Sequence, residues 1–304
     1  MSPRRERAMV EPAEFRSYYG KPILKEPAWK QPDVPLYLFL GGAAGASATM
    51  AALADVTGRP RLARIGRLVA SGGSVASVGA LIHDLGRPER FLHMLRVLKP
   101  TSPLSVGSWI LSPFSGLAAV AAASEVTGKL PVIGRLAGVG AGVLGPAMCT
   151  YTAVLLADTA TPSWHEAHGT LPVLFAGSAL TSGAGAALLA GETGPVVRAG
   201  LAGAAAELVA EHHLETGLGL ASEPYRTGRA GKLLKAAKAL TAAGAGLSLV
   251  AGRSRVAGAL AGAAYLASGL CTRFGVYAAG VASTKDPKYV VVPQRERVNQ
   301  RAGR

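Results

Sequence analysis

The chain has 304 residues, of which 49% are hydrophobic and only 16% are charged, whereas about 25% of the residues of a soluble domain are charged. This composition argues against a soluble protein. The net charge of +14 does not indicate nucleic-acid binding, because the basic residues lie in tails and in short loops between apolar segments. Cys149 and Cys271 are the only cysteines. They do not form a CxxC pair, so the sequence predicts no iron–sulfur cluster or metal bound by this chain.

Eight apolar segments are long enough to be transmembrane helices, since a bilayer core about 30 Å thick requires about 20 apolar residues. In chain order they cover residues 35–56, 68–83, 104–125, 136–157, 171–190, 195–210, 233–251 and 256–283. The sequence therefore predicts an all-α integral membrane protein with eight transmembrane helices. Residues 1–34 form a polar N-terminal arm, residues 35–283 the transmembrane domain, and residues 284–304 a basic C-terminal tail.

An even number of helices places both ends of the chain on one side of the bilayer, which we call the termini face. Lys and Arg are more frequent in the tails and loops of this face than in the opposite loops. Positive charge marks the cytoplasmic side of bacterial membrane proteins. We therefore expect a multi-pass protein of the bacterial cytoplasmic membrane, surrounded by lipid, with both termini in the cytoplasm and no nucleic-acid partner.

Histidines and most carboxylates collect at the termini face. Asp84 follows His83 at the end of the second segment, and Asp158 and His165 follow the fourth. No two histidines are expected to face each other in mid-membrane, which argues against a bis-histidine haem. Carboxylates and imidazoles at one membrane edge can take up and release protons, as the oxidation or reduction of a quinone requires. Helix capping and solvation in loops are the alternative interpretation.

Two charged residues, Glu207 and Arg273, lie inside the sixth and eighth segments. An ion inside a bilayer is costly and normally faces a partner or a wet cavity. We expect the two side chains to interact as an intramembrane pair, directly or through water, unless each extends separately to the membrane surface. The same residues could bind a substrate or an ion in a secondary transporter, which is the main alternative function, although the sequence has no clear inverted repeat.

Two tyrosines lie at the depth where a quinone headgroup would bind. Tyr37 begins the first segment, and Tyr151 lies in the fourth segment below Asp158. A phenol hydroxyl can donate a hydrogen bond to a quinone carbonyl. Tyrosines also anchor helices at membrane interfaces without any further role.

The loop after the second segment carries the most specific pattern of the sequence. It reads DLGRPERF over residues 84–91 and continues through LRV at 95–97 and KPTSP at 99–103 to GSW at 107–109. This pattern closely resembles the same loop in the membrane subunits of polysulfide reductase and nitrite reductase, the NrfD/PsrC-like family. Residues 18–20 and 24–29 resemble the N-terminal arm of its actinobacterial-type members, and residues 151–156, 162–166 and 286–297 resemble the fourth helix with its exit and the tail.

This resemblance implies two four-helix bundles that exchange electrons between a quinone, here expected to be menaquinone, and an extrinsic subunit. That subunit would carry four [4Fe-4S] clusters and serve a molybdenum- or tungsten-pterin catalytic subunit, for which formate is the expected substrate. Tyr37, Tyr151 and His83 would form the quinone pocket. Asp84, Asp158 and His165 would exchange protons there together with Tyr151.

A broad polar surface at the termini face could bind such an extrinsic subunit. Its expected contact residues are Trp29, in the N-terminal arm, and four basic residues of the loop after the second segment, namely Arg87, Arg90, Arg96 and Lys99. Basic side chains of this kind complement an acidic partner. Contact with lipid phosphates is the alternative.

Overall fold

The computed structural model describes residues 23–85 and 87–302, and all of the regular secondary structure in these residues is helical. The predicted all-α fold is therefore confirmed for this part of the chain. The arm residues 18–20 and Gly86 of the loop pattern lie outside the described residues. Five of the described helices, α1 to α4 and α6 as defined below, are long and apolar enough to cross a membrane.

The α-helices are labelled in chain order. They are α1 (Asp33–Val56), α2 (Pro60–Asp84), α3 (Pro103–Thr127), α4 (Pro131–Ala157), α5 (Pro162–Glu166), α6 (Leu171–Leu189), α7 (Pro195–Thr216), α8 (Glu223–Arg226), α9 (Gly228–Leu249), α10 (Arg255–Lys285) and α11 (Lys288–Ala302). Short 3-10 helices cover Pro88–Leu95 and Gly219–Ser222. Each predicted segment falls within or nearly coincides with one of the longer helices.

The helices extend beyond the apolar segments because polar residues continue the first and last turns. The second predicted segment began at residue 68, whereas α2 begins at Pro60 and includes the arginines between these positions. A proline at the first helical position has a φ angle that suits a helix. Its missing N–H is not a loss, because the first residue of a helix donates no intrahelical hydrogen bond. Pro103, Pro131 and Pro195 begin their helices in the same way. The predicted C-terminal tail is itself mostly helical, as α11.

Helix α1 is the central element, since it contacts α2, α4, α6 and α10. Small residues allow this close packing. A Cβ atom built on Gly45 would lie 2.6 Å from the carbonyl oxygen of Gly145 on α4, so only glycine fits there. Other helices with extensive mutual contacts are α3 and α4, α6 and α7, α6 and α10, and α9 and α10.

Large apolar side chains are exposed on the outer sides of several helices. Examples are Leu53, Val75, Val120, Val143, Val154 and Val209. A soluble monomer rarely exposes so many apolar residues together. These surfaces are suited to contact with lipid.

At the termini face, an aromatic stack joins the N-terminal arm to the core. The rings of Trp29 and Trp164 stack at a centroid distance of 5.8 Å, and the Tyr277 ring centroid lies 5.7 Å from that of Trp164. The Tyr277 hydroxyl donates to the Trp29 carbonyl at 2.5 Å, and the Trp164 indole donates to the Val276 carbonyl at 2.8 Å. The arm, α5 and α10 are therefore held together at this face.

At the opposite face, Arg67 connects three helices. Its guanidinium forms salt bridges with Asp55 near the end of α1 and, at 2.5 Å, with Glu125 near the end of α3. The sequence does not reveal this network, because hydropathy assigns Arg67 to a loop before the second apolar segment. One cation between two carboxylates fixes the ends of α1, α2 and α3 relative to one another.

We expect Arg67→Met to leave two neighbouring carboxylates without their cation. Removing one partner of a fully buried pair costs about 3–5 kcal/mol. The Asp55 and Glu125 side chains are 24% and 23% exposed, so we expect a smaller loss of about 1–3 kcal/mol, measured as thermal unfolding in mild detergent.

Arg64→Met is the matched control, because Arg64 is exposed on the same helix, and it should not change the unfolding temperature. Arg67→Lys keeps the positive charge and should therefore lose less stability than Arg67→Met. Equal losses in the two variants would contradict the electrostatic role of Arg67.

Candidate functional site

A narrow cleft opens at the termini face between α1, α2, α3, α4 and the N-terminal arm. Its cavity volume is about 40 Å³. The lining residues are Trp29, Val34, Tyr37, Leu81, Asp84, Leu104, Gly107, Ser108, Leu111, Tyr151 and Leu155. Mostly apolar walls with a few polar groups are typical of small-molecule sites.

The two predicted tyrosines meet in this cleft. Tyr37 lies in the first turns of α1 and is 3% exposed, and Tyr151 lies in the last two turns of α4 and is 9% exposed. Their phenol groups are neighbours, but the buried Tyr151 hydroxyl has no hydrogen-bond partner of normal geometry. Gly107 on α3 makes room for the Tyr151 ring, since a Cβ atom there would lie 2.6 Å from it.

Asp84 joins the tyrosines at the cleft, where it ends α2 and holds the N-terminal arm. Its carboxylate accepts a hydrogen bond from the Lys30 backbone amide at 2.8 Å. Lys30 follows Trp29, whose ring lines the cleft. The carboxylate of Asp84 therefore fixes the part of the arm that covers the phenols, and it is itself only half-buried.

The other predicted site residues lie outside the cleft. His83 is exposed, and its Nδ1 lies 2.8 Å from a carboxylate oxygen of Asp33 at the start of α1. Asp158 and His165 are exposed where the chain leaves α4, with His165 Nδ1 3.2 Å from the Ala157 carbonyl. Thus Tyr37, Tyr151 and Asp84 come together in the structure, while these three residues are not part of that group.

A second, larger cavity of about 380 Å³ lies beside the cleft. Trp29 lines both cavities. The rest of the larger cavity comes from the arm, from Thr159 to Thr161 after α4, from Trp164 and from Thr284.

The predicted docking residues differ in their surroundings. Arg87, Arg90, Arg96 and Lys99 are all exposed on the loop between α2 and α3. Trp29 is half-buried, because its ring stacks on Trp164. The same loop exposes Leu92, Val97 and Leu98. It therefore combines basic and apolar groups on one surface, a mixture that the charge pattern alone did not reveal.

The two intramembrane charges lie on α7 and α10 and do not line the cleft. Arg273 also packs against α1, since a Cβ atom on Gly42 would lie 3.3 Å from its guanidinium. Glu207 is fully buried and accepts hydrogen bonds from threonine hydroxyls. Arg273 donates to the Phe175 carbonyl at 3.0 Å, and its guanidinium lies 3.7 Å from the centre of the Phe175 ring. No salt bridge joins Glu207 to Arg273, so the direct form of the predicted pair is absent, and contact through water stays a prediction.

Comparison with known proteins identifies the family. The family model of NrfD, polysulphide reductase, matches residues 27–194, which is more than half of the chain. The chain belongs to the NrfD family. The resemblance inferred from the loop pattern is thereby confirmed, and this NrfD-family chain is a membrane subunit of a redox complex. A search of curated proteins finds no match.

The matched range contains every polar residue of the cleft, including Trp29, Tyr37, Asp84 and Tyr151. It excludes Glu207 and Arg273, which lie in the second half of this NrfD-family chain. Within residues 23–85 and 87–302, no group of three or more His, Cys, Asp or Glu side chains is placed to hold a metal ion. The polar side chains that line the cleft, Tyr37, Tyr151, Asp84 and Ser108, are hydrogen-bonding groups.

We expect Gly107→Ala to push the Tyr151 ring out of its position. Overpacking a tight contact of this kind costs about 1–3 kcal/mol, and thermal unfolding in detergent would measure the loss. Gly116→Ala on the same helix is the control, because a Cβ atom there meets nothing within 4 Å. In a helix interior, replacing glycine by alanine raises the free energy of unfolding by roughly 0.5–1 kcal/mol, so Gly116→Ala should be at least as stable as the wild type. Equal stabilities of the two variants would contradict the packing of Tyr151 against α3.

Proposed function

We propose that this chain is the quinone-reactive membrane subunit of a multi-subunit oxidoreductase, and that the cleft binds the quinone headgroup. The observation that carries the proposal is Tyr151, which lines the cleft beside Tyr37 and whose buried hydroxyl has no hydrogen-bond partner of normal geometry. Leaving a buried donor unpaired costs about 1–3 kcal/mol. A quinone carbonyl is an acceptor that would complete its hydrogen bonding.

The donor groups fit a quinone, whereas the space requires a rearrangement. A cavity of about 40 Å³ has room for about one water molecule, so a quinone ring enters only if a side chain moves. Trp29 is the residue that we propose to move, because it lines both the cleft and the neighbouring cavity of about 380 Å³. Its backbone stays held by Tyr277 and, through the next residue, by Asp84.

A bound quinone would supply two-electron, two-proton chemistry, and the protein would provide the proton path. Tyr151 donates to a carbonyl oxygen, and Tyr37 stands beside it as the second phenol. Asp84, half-buried at the outer edge of the cleft, exchanges protons with water. Three further residues of the termini face lie outside the cleft and are exposed to water, namely His83, Asp158 and His165. In this proposal they do not contact the quinone.

All eight long helices cross the membrane in this proposal. Helices α1 to α4 form one four-helix bundle, and α6, α7, α9 and α10 form the other, consistent with their contacts. The charges inside α7 and α10, Glu207, Glu211 and Arg273, are buried in protein rather than exposed to lipid. The lysines of α9 lie in its first half, near the termini face, where long side chains can reach water.

The termini face would lie in the cytoplasm of a bacterium and bind the extrinsic subunit with its four [4Fe-4S] clusters. That subunit would connect menaquinone in the cleft with a molybdenum- or tungsten-pterin subunit acting on formate. The loop between α2 and α3 supports this docking, because exposed arginines and exposed Leu92, Val97 and Leu98 lie close to the cleft entrance. Interfaces typically combine apolar contacts with charge complementarity.

We expect the wild-type protein, purified by a tag from its native membrane in mild detergent, to contain iron and acid-labile sulfide from the bound partner. The double variant Arg87→Glu, Arg90→Glu should lose most of this iron, since it repels an acidic partner. Arg253→Glu, exposed on the opposite face, should retain it. Equal iron in both variants would exclude this loop as the docking site. An intact wild-type preparation without iron would favour the transporter alternative.

We expect Tyr151→Phe to lower the kcat/KM for quinone by about 2- to 10-fold, the effect of losing a hydrogen bond worth about 0.5–1.5 kcal/mol. The variant should be at least as stable as the wild type, because the hydroxyl that it removes has no partner.

Tyr225→Phe is the matched control. The buried Tyr225 hydroxyl donates to the Ser163 carbonyl at 2.9 Å, so its loss should lower stability by about 1 kcal/mol and leave quinone turnover unchanged. Full turnover in Tyr151→Phe would show that the quinone pocket lies elsewhere.

A further inference from the structure

A second buried polar group lies outside the cleft, between α6, α7, α9 and α10. Its centre is Glu207, which is 0% exposed. Three threonine hydroxyls, one from each neighbouring helix, surround its carboxyl group and are called here the hydroxyl cluster. They are Thr181 at 3.2 Å, Thr241 at 3.3 Å and Thr272 at 2.8 Å. An ionisable residue inside a membrane protein indicates a functional site by default.

Each hydroxyl of the cluster has a second acceptor within reach. Thr181 lies 2.9 Å from the Ser178 carbonyl, and Thr272 lies 3.1 Å from the Ser268 carbonyl. Thr241 lies 2.5 Å from the Ser268 hydroxyl, which can itself donate to the Ala237 carbonyl at 3.0 Å. A hydroxyl carries one proton and can donate only once at a time.

This arrangement satisfies Glu207 in two charge states. When the carboxylate is ionised, Thr181, Thr241 and Thr272 can all donate to it. When it is protonated, the hydroxyls can turn to their second acceptors, and the carboxyl group can donate to an oxygen of the cluster. A buried carboxyl group with a purely structural role needs hydrogen-bond partners in only one protonation state. A group that exchanges protons needs partners in both the ionised and the protonated state.

A line of carboxyl groups connects Glu207 with the termini face. Glu211 and Glu215 follow at intervals of four residues and therefore lie on the same side of α7. Glu211 is 2% exposed, and neither of its carboxyl oxygens has a hydrogen-bond partner. Glu215 is partly exposed and forms a salt bridge with Lys238 on α9 at 2.7 Å. The unpartnered Glu211 thus lies between buried Glu207 and the surface.

The charged and titratable groups around this line come from three helices. Helix α7 contributes Glu211 and Glu215 beside Glu207, and α9 contributes Lys238. Helix α10 contributes Arg273 and the Tyr265 hydroxyl, which has no hydrogen-bond partner. Arg273 is not locked to Glu207 by a salt bridge, and two of its guanidinium nitrogens remain without a hydrogen-bond partner.

We propose that Glu207 is a proton-binding site that exchanges protons with the termini face through Glu211 and Glu215. The site is separate from the quinone cleft, and the proposal does not depend on quinone binding there. The step is a plain proton transfer, from water to Glu215, then to Glu211 and then to Glu207, and the reverse order on release.

Infrared spectroscopy of the complex purified from native membranes tests this proposal directly. A protonated carboxyl group has a C=O band that shifts in D₂O, and the wild type should show such a band with an amplitude that depends on pH. Glu207→Gln should remove this component. Glu192→Gln, at the opposite face beside Arg61, should retain it. A band that is unchanged in Glu207→Gln would overturn the proposal. If Glu207→Gln does not assemble, the same measurement is made on Glu207→Asp, which should shift the band. An unshifted band in Glu207→Asp would also overturn the proposal.

The proposed path has its own test. Glu211→Gln keeps the size of the side chain but cannot carry a proton, so it should slow H/D exchange at Glu207 by about 10²-fold or more, the effect of losing a positioned acid–base group. Unchanged exchange would exclude the path through Glu211. A shift of the Glu207 band on adding Na⁺ at constant pH would mean that the hydroxyl cluster binds sodium, and it would overturn the assignment to protons.

Discussion

The fold depends on the close approach of α1 to its neighbours. Inside a bilayer each helix satisfies its own backbone hydrogen bonds, so helices associate mainly by van der Waals packing of small residues. The contact of Gly45 with the backbone of Gly145 sets the distance between α1 and α4. This contact brings Tyr37, near the start of α1, beside Tyr151 on α4. At the other end of α1, Asp55 reaches Arg67. The tyrosine pair thus follows from the contact of α1 with α4, and the Arg67 network follows from the contact of α1 with α2, where Gly66 packs against the Ser47 carbonyl.

The aromatic stack of Trp29, Trp164 and Tyr277 has the corresponding role at the termini face. It joins the N-terminal arm to α5 and α10, and thereby covers a cleft that α1 to α4 form below it. The cleft is consequently small, although its phenols are in place. In the proposed function, a displacement of the Trp29 ring would admit an apolar ring from the membrane, and its return would exclude water.

The length of the apolar segments predicts the long helices. Tyr37, Asp84 and Tyr151 each lie near a segment end at the termini face, so the sequence also predicts that they lie at a similar depth in the membrane. Partners across helices were not predictable in the same way. Helices rich in Gly and Ala have no distinct polar side, so the sequence does not reveal which side faces which neighbour. The three hydrogen bonds to Glu207 depend on how α6, α7, α9 and α10 are rotated about their own axes, which the sequence does not reveal. Arg67 was missed for another reason, because α2 continues through charged turns that hydropathy assigns to a loop.

Two tyrosines of the same chain show why unpaired buried groups indicate function. The Tyr225 hydroxyl is buried and finds the Ser163 carbonyl, as buried hydroxyls normally do. Tyr151 is buried without such a partner, and so are both oxygens of Glu211. Each unpaired group costs about 1–3 kcal/mol, against a net stability of about 5–15 kcal/mol for a typical domain. Phenylalanine at position 151 would avoid this cost, because it has no hydroxyl. A quinone acceptor for Tyr151 and a mobile proton for Glu211 are the partners that the two proposals assign to these unpaired groups.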